Sequence, residues 1–149
     1  MQRELEMLER FHQVYDCAMA DAPCHVNEET RQLRFNLIAE ELTEYNEAAK
    51  DRNHPGVDVA DALADLLYVV YGTIIAHGLQ HLMPAIFAEV HRSNLSKLGE
   101  DGKPIYRESD RKVLKGPNFT PPDIASILSG QPPSHTRDKV GHRIDSEGL

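Results

Sequence analysis

The stretch 57–77 constrains the fold more than any other part of the chain. Apart from its three aspartates, Asp58, Asp61 and Asp65, it carries no charge, and aliphatic side chains recur along its whole length. A helix that is apolar nearly all round belongs in a protein interior. Its most apolar part, residues 63–75, is shorter than the roughly 20 residues needed to cross a bilayer. The stretch therefore predicts a buried core helix that ends near Gly78.

Apolar residues at intervals of three and four predict three more helices, over residues 3–20, 28–50 and 82–98. Asn27, followed by two glutamates, is typical of a helix N-cap. Residues 123–128 predict a short last helix. The fold class is therefore all-α, an antiparallel four- to five-helix bundle with an irregular C-terminal segment.

Side chains of the second helix are expected to divide between core and surface. The members predicted to face the core are Leu33, Leu37, Ile38 and Leu42, with Phe35 and Tyr45 flanking them. Beyond residue 99 the chain is rich in Gly and Pro, which disfavours long regular elements. We expect one domain over residues 1–128 and a flexible tail over 129–149.

Charge and cysteine usage limit the function classes. The 149-residue chain has 24 acidic and 16 basic residues, a formal charge of −8 that argues against broad binding to nucleic acid or to an anionic membrane. Cys17 and Cys24 form no CxxC pair, so we expect free thiols in a reducing compartment and no zinc site. The charged N-terminus does not resemble a signal peptide, and a cytoplasmic location is expected.

Carboxylates cluster on two neighbouring predicted helices. At about 100° per residue, Glu40, Glu41 and Glu44 share one sector of the second helix. On the third helix, Asp61 and Asp65 repeat the four-residue spacing. Two acidic faces can meet here.

The two aspartates lie in the most apolar helix, where an unpaired carboxylate costs several kcal/mol. A hard divalent cation would compensate them, and magnesium, with manganese as an alternative, prefers oxygen ligands. The predicted ligands are Glu40, Glu41, Glu44, Asp61 and Asp65. Such ions would bridge phosphate oxygens and activate a water, with Glu40 or Glu41 as the catalytic carboxylate and the choice of general base left open.

Two other interpretations compete with a metal site. An acidic run is most often a solvated helix face, because charged residues usually stay exposed. Asp61 and Asp65, taken alone, are equally compatible with salt bridges to arginine or with helix capping. The two runs taken together favour metals.

The letters EELTE at residues 40–44, followed by DALADLLY at 61–68, resemble the MazG-like all-α nucleotide pyrophosphohydrolases. The phosphoribosyl-ATP pyrophosphohydrolases and the dimeric dUTPases are similar. The superfamily is marked by EExxE on one helix and ExxD on the next. The resemblance implies metal-dependent hydrolysis of the α-β phosphate bond of a nucleoside triphosphate, giving monophosphate and pyrophosphate.

The second half of the motif departs from this pattern. If Asp65 takes the place of the final aspartate, the glutamate expected three residues earlier is Ala62. Asp61 is the best substitute, and Asp58 is a weaker one. The departure leaves the number of metals open.

The segment FAEVHRSNLSK at residues 87–97, with DGKP at 101–104 and KVLKGPNF at 112–119, resembles a MazG-like subfamily that includes a dUTP-preferring bacterial member. Asn94 and Lys97 lie on one helical face and match the family pattern. The predicted substrate-binding residues are Asn94, Lys97, Lys112, Lys115 and Arg34. For the two later lysines, a solvated basic turn is the competing interpretation.

The expected function is hydrolysis of a nucleoside triphosphate, with nucleotide-pool house-cleaning as a role and dUTP as a candidate substrate. The alternatives are a non-catalytic helical module that binds a nucleotide or a metal, and an adaptor without nucleotide contact. No nucleic acid or membrane partner is expected. The apolar third helix needs more cover than four helices give, which predicts a homodimer or a tetramer.

Overall fold

A computed structural model describes residues 1–50 and 56–135. These residues form five α-helices and no β-strand, apart from one isolated bridge between Tyr106 and Val113. The helices are α1 (Gln2–Val14), α2 (Glu28–Lys50), α3 (Val57–Ala76), α4 (Met83–Leu95) and α5 (Ile124–Leu128). The predicted all-α class and the irregular segment after α4 are confirmed. Residues 136–149, most of the predicted tail, lie outside the described residues.

The boundaries of α2 and α3 follow from local signals. Asn27 Oδ1 accepts a hydrogen bond from the Thr30 backbone N–H at 2.8 Å, so the predicted N-cap of α2 is confirmed. Gly78 follows α3 with a φ of 67°, a left-handed conformation that glycine adopts readily.

Two helices are shorter in the structure than the sequence predicts. The first ends at Val14 rather than near residue 20, because Asp16 takes a φ of 53° and Cys17 N–H donates to the His12 carbonyl at 2.9 Å. The left-handed residue turns the chain out of the helix. The fourth helix spans Met83–Leu95, so it begins one residue later and ends three residues earlier than predicted.

The described chain divides into two compact units, the first comprising Met1–Met83 and the second beginning at Pro84. In the first unit, α3 packs against both α1 and α2. Its core is a cluster of Leu5, Leu8 and Ile75. Phe11 meets Tyr68 edge to face, with ring centroids 5.4 Å apart. Because later residues of α1 meet earlier residues of α3, the two helices run antiparallel.

The predicted core side of α2 is met only in part within the single chain, in which Leu37 and Ile38 are half-buried. Leu33 and Leu42 are 52% and 53% exposed, and the only buried residue of α2 is Arg34. The buried residues of α3 are Ala62, Gly72, Ile75 and Ala76, so its predicted interior position is also not met within one chain. Apolar periodicity identifies the side of a helix that needs cover, and the structure shows that one chain covers only part of it.

By length and composition, α3 is the one helix of the described residues that could cross a membrane. Its most apolar window has a mean hydropathy of 1.6, and 28% of that window is buried. Core helices of soluble proteins pass the same test.

The second unit is organised around a buried carboxylate. Glu89 of α4 is 4% exposed and accepts hydrogen bonds from Arg92 Nε at 2.9 Å and Arg92 Nη2 at 2.8 Å. Its Oε1 also accepts from the Asp123 backbone N–H at 2.9 Å. The Asp123 side chain caps α5 and accepts from Ser134 N–H at 2.8 Å, which holds the chain after α5 in place. These contacts fix the path of the irregular segment at both ends of α5.

Candidate active site

The predicted carboxylates lie along the contact between α2 and α3. Glu40, Glu41 and Glu44 lie in the middle of α2, which is continuous from Glu28 to Lys50. Asp61 and Asp65 lie in the first half of α3. A Cβ on Gly72 would lie 2.9 Å from the Arg34 guanidinium, which pairs the end of α3 with the start of α2. The two helices are therefore antiparallel, and their acidic segments lie side by side.

The charges of this carboxylate cluster act on Glu41. Burial raises the pKa of the Glu41 carboxyl, and four neighbouring negative charges raise it further. In decreasing order of effect these neighbours are Glu44, Asp65, Glu40 and Asp61. They are the four other residues that the spacing of the sequence predicts. Asp58, the weaker candidate, is not among them.

Nothing in the described part of the chain neutralises this charge. None of the five carboxylates forms an ion pair with a described lysine, arginine or histidine. Nor do three or more His, Cys, Asp or Glu side chains in residues 1–50 and 56–135 converge into a ready-made metal site. The cluster is thus a concentration of unpaired oxygen donors that repel one another. Hard divalent cations such as magnesium fit this donor set.

The missing glutamate has a structural counterpart. Ala62, at the expected position, is 5% exposed and belongs to the buried side of α3. Asp61, its neighbour, is exposed and close enough to Glu41 to raise the pKa of that carboxyl. A rotation of about 100° per residue separates the two positions. In this chain the carboxylate is therefore at the exposed position 61 and not at the buried position 62.

Arg34 is not an exposed cation beside the cluster. It is 8% exposed, and its Nη2 lies 3.4 Å from His12 Nε2. Burial lowers the pKa of the Arg34 guanidinium, and the neighbouring Cys17 partly opposes this effect. His12 could not be predicted from the sequence, because a lone histidine near the end of an amphipathic helix carries no signal of its partner.

The other four predicted substrate residues belong to the second unit. Asn94 on α4 is exposed and Lys97 just after α4 is partly buried. Lys112 and Lys115 lie on the irregular segment, which is tied to the end of α4 because Gly116 N–H donates to the Lys97 carbonyl at 3.0 Å. The ammonium of Lys115 lies 4.4 Å from the centre of the Phe119 ring. A cation–π contact of this kind holds Lys115 in place without neutralising it.

Comparison with known proteins identifies relatives of the chain. The family model for phosphoribosyl-ATP pyrophosphohydrolase matches residues 8–94, which is more than half of the chain. No curated protein matches it significantly in sequence. Among solved structures, a proposed NTP pyrophosphohydrolase from Exiguobacterium sp. 255-15 is similar, with 25% identity and a TM-score of 0.42. The match covers 91% of this chain and 97% of that one.

Proposed function

This chain belongs to the phosphoribosyl-ATP pyrophosphohydrolase family of nucleoside triphosphate pyrophosphohydrolases, and we propose that it cleaves the α-β phosphate bond of a (deoxy)nucleoside triphosphate. The products would be a monophosphate and pyrophosphate. The resemblance of residues 87–119 to a dUTP-preferring subfamily makes dUTP a candidate substrate, and nucleotide-pool house-cleaning a candidate role.

The observation that carries this proposal is the unneutralised carboxylate cluster. Four acidic side chains act on Glu41 across two helices, and no described cation pairs with any of them. Clustered like charges destabilise a fold unless a ligand compensates them. A nucleotide bound together with divalent cations supplies that compensation.

Magnesium, or manganese in its place, would be held by Glu40, Glu41, Glu44, Asp61 and Asp65. When bound, it would polarise phosphate oxygens and make an attacking water more acidic. Glu41 is the carboxylate whose pKa the four others raise, and it is our first choice to accept the proton of that water, with Glu40 as the second. Asn94, Lys97, Lys112 and Lys115 are proposed to bind the substrate, the lysines through phosphate oxygens.

Self-association is proposed on the surface that one chain leaves uncovered. Large apolar side chains of α2 and α3 are more than 40% exposed, among them Leu33, Leu42, Leu63 and Leu67. Large exposed apolar side chains on two helices that pack together are typical of interaction sites. We propose a homodimer, which can pair into a tetramer, and light scattering coupled to size exclusion measures its mass. The free thiols of Cys17 and Cys24 suit the cytoplasm.

The experiment that tests the activity is a nucleotide screen. Common nucleoside di- and triphosphates are incubated with magnesium, with manganese or with a chelator, and pyrophosphate is quantified separately from inorganic phosphate. We expect metal-dependent release of pyrophosphate from triphosphates. Release of single phosphate only, or equal turnover with the chelator, would contradict the proposal.

The competing function is a binding module without catalysis. It predicts that magnesium and a non-hydrolysable triphosphate bind, as measured by calorimetry, while no nucleotide in the screen is turned over.

A further inference from the structure

A cavity of about 300 Å³ lies among α1, α2 and α3. Most of its wall is apolar or aromatic, including Leu33, Leu37, Phe11 and Tyr68. Cavities that bind small molecules begin at about this volume and are lined in this way, with a few polar groups that fix the orientation of the ligand. A phosphate chain carries several negative charges, and a largely apolar wall with one cation, Arg34, would offset the loss of its hydration only in part. The wall therefore suits an uncharged, planar group.

The cavity borders the carboxylate cluster on both helices. On α2, Leu37 lies four residues before Glu41, which is about one helical turn. On α3, Tyr68 lies three residues after Asp65. A ligand whose charged end meets the cluster can thus place its other end in the cavity.

Arg34, which lines this cavity, is a buried charge without an anionic partner. Its Nε is buried and has no hydrogen-bond partner within the described residues. No described carboxylate lies within ion-pair distance of its guanidinium. A buried charge that lacks hydrogen bonds costs several kcal/mol. An acceptor atom of a ligand would remove part of that cost.

His12 faces Nη2 of Arg34 and leaves the Nε of that guanidinium without an acceptor. Its Nδ1 lies 2.9 Å from the Ala18 carbonyl, which can only accept, so the proton resides on Nδ1. Its Nε2 is then the acceptor that faces Arg34 Nη2. Burial lowers the pKa of His12, which keeps the ring neutral. The pair therefore offers a ligand N–H donors and no free acceptor.

We infer that this cavity binds the nucleobase of the substrate, and that Arg34 selects bases with a carbonyl oxygen at the buried edge over their amino counterparts. The inference rests on the proposed function, because it assumes that the phosphates lie at the carboxylate cluster. A carbonyl oxygen accepts from the guanidinium, whereas an amino group would set donor against donor. Arg34 is thus a specificity-determining residue rather than a phosphate ligand.

Matched substrate pairs test the inference, since dUTP and dCTP, or dITP and dATP, differ at this group. We expect kcat/KM to favour the carbonyl member of each pair by about tenfold or more, as for an unpaired buried donor. Arg34→Met keeps an unbranched, flexible side chain that reaches about as far as Nε of the arginine, and it removes the donors. It should bring both ratios close to one, mainly by slowing the carbonyl substrates.

Two further variants separate recognition from folding. Arg31→Met changes an exposed arginine of the same helix, which pairs with Glu28, and should leave both ratios unchanged. Gly72→Ala keeps Arg34 but places a methyl group 2.9 Å from its Nη1 and from His12 Nε2, so it should lower both ratios by displacing the guanidinium. If Arg34→Met slowed all four substrates equally, Arg34 would be assigned to phosphate and the inference would be overturned.

Binding of dUMP and dCMP without metal, measured by calorimetry, distinguishes this inference from the proposed function. Preferential binding of dUMP that is lost in Arg34→Met supports the cavity assignment even if no triphosphate is hydrolysed. Hydrolysis of triphosphates with the same base preference in wild type and Arg34→Met supports the proposed function and overturns the cavity assignment. Equal affinity of the wild type for dUMP and dCMP also overturns it.

Discussion

Glu41 of the first unit and Glu89 of the second show how differently one chain treats two glutamates. Arg92 and a backbone N–H hold the pKa of the Glu89 carboxyl below its usual value, because every hydrogen bond favours the charged form. Burial and four like charges raise the pKa of Glu41 instead. The negative charge of Glu89 is compensated by hydrogen bonds within its own chain, whereas that of Glu41 has no described cationic partner.

This difference associates Glu89 with the stability of the fold and Glu41 with a ligand. A buried carboxylate with its hydrogen bonds made contributes to folding, and removing it leaves partners unpaired. A carboxylate surrounded by like charges weakens the fold, and such an arrangement indicates a site for a cationic ligand. Substitutions at the two glutamates and at residues near them test this contrast.

Glu41→Gln should have the largest effect, a loss of pyrophosphate release of about 10³-fold, the usual range for a general base. Because a negative charge is removed from a repulsive cluster, the metal-free variant should be at least as stable as the wild type. Steady-state kinetics and thermal unfolding measure the two effects. Glu47→Gln, on the same helix but paired with Lys50, is the matched control. Turnover at the wild-type rate in Glu41→Gln would remove Glu41 from the site.

Asp61→Asn tests whether Asp61 replaces the glutamate that is absent at position 62. We expect the affinity for magnesium to fall by at least about tenfold, because loss of a ligand should cost no less than loss of a contact that supports one. Asp58→Asn should bind magnesium as the wild type does, since Asp58 has no resolved effect on Glu41. Calorimetric titration with magnesium compares them. The reverse order of effects would assign the position to Asp58.

Glu89→Gln should chiefly affect stability. Loss of the charge weakens the hydrogen bonds from Arg92 and Asp123, which together should cost about 2 kcal/mol of unfolding free energy. Urea unfolding monitored by hydrogen exchange at α4 measures this change. A Glu89→Gln protein as stable as the wild type would contradict the structural role.

The same residue predicts a pH dependence. Since the pKa of Glu89 is lower in the folded than in the unfolded state, its contribution is present above the ordinary value of 4.5. It is lost as the pH falls through the lowered folded value. Unfolding of the wild type should therefore become easier on acidification, and Glu89→Gln should lack this component. If the free energy of unfolding fell equally with acid in the wild type and in Glu89→Gln, this pH dependence would come from other groups.

Asn27→Ala should have the smallest effect. It removes the side-chain cap of α2, which costs about 1 kcal/mol of unfolding free energy. The carboxylates lie more than three turns further along the helix, so kcat should not change. A large loss of activity would show that catalysis depends on the start of α2, contrary to this prediction.

Local patterns predicted the elements of this fold well. Asn27 and Gly78 mark where α2 begins and α3 ends, because capping and left-handed conformations depend on neighbouring residues alone. The spacing of the carboxylates likewise predicted which five side chains influence one another, since helical geometry is the same in every protein. The early end of α1 was missed, because its apolar stripe continues past the left-handed turn at Asp16.

The all-α class, the helices and the members of the carboxylate cluster followed from the sequence alone. The packing of the helices was needed to show that Ala62 is buried beside an exposed Asp61, that Arg34 lies against His12, and that Leu33 is exposed. The physical reason is that periodicity states which side chains share a face, whereas the partner of that face depends on how helices pack. Arg34 and His12 are 22 residues apart in the sequence and lie on helices that both pack against α3.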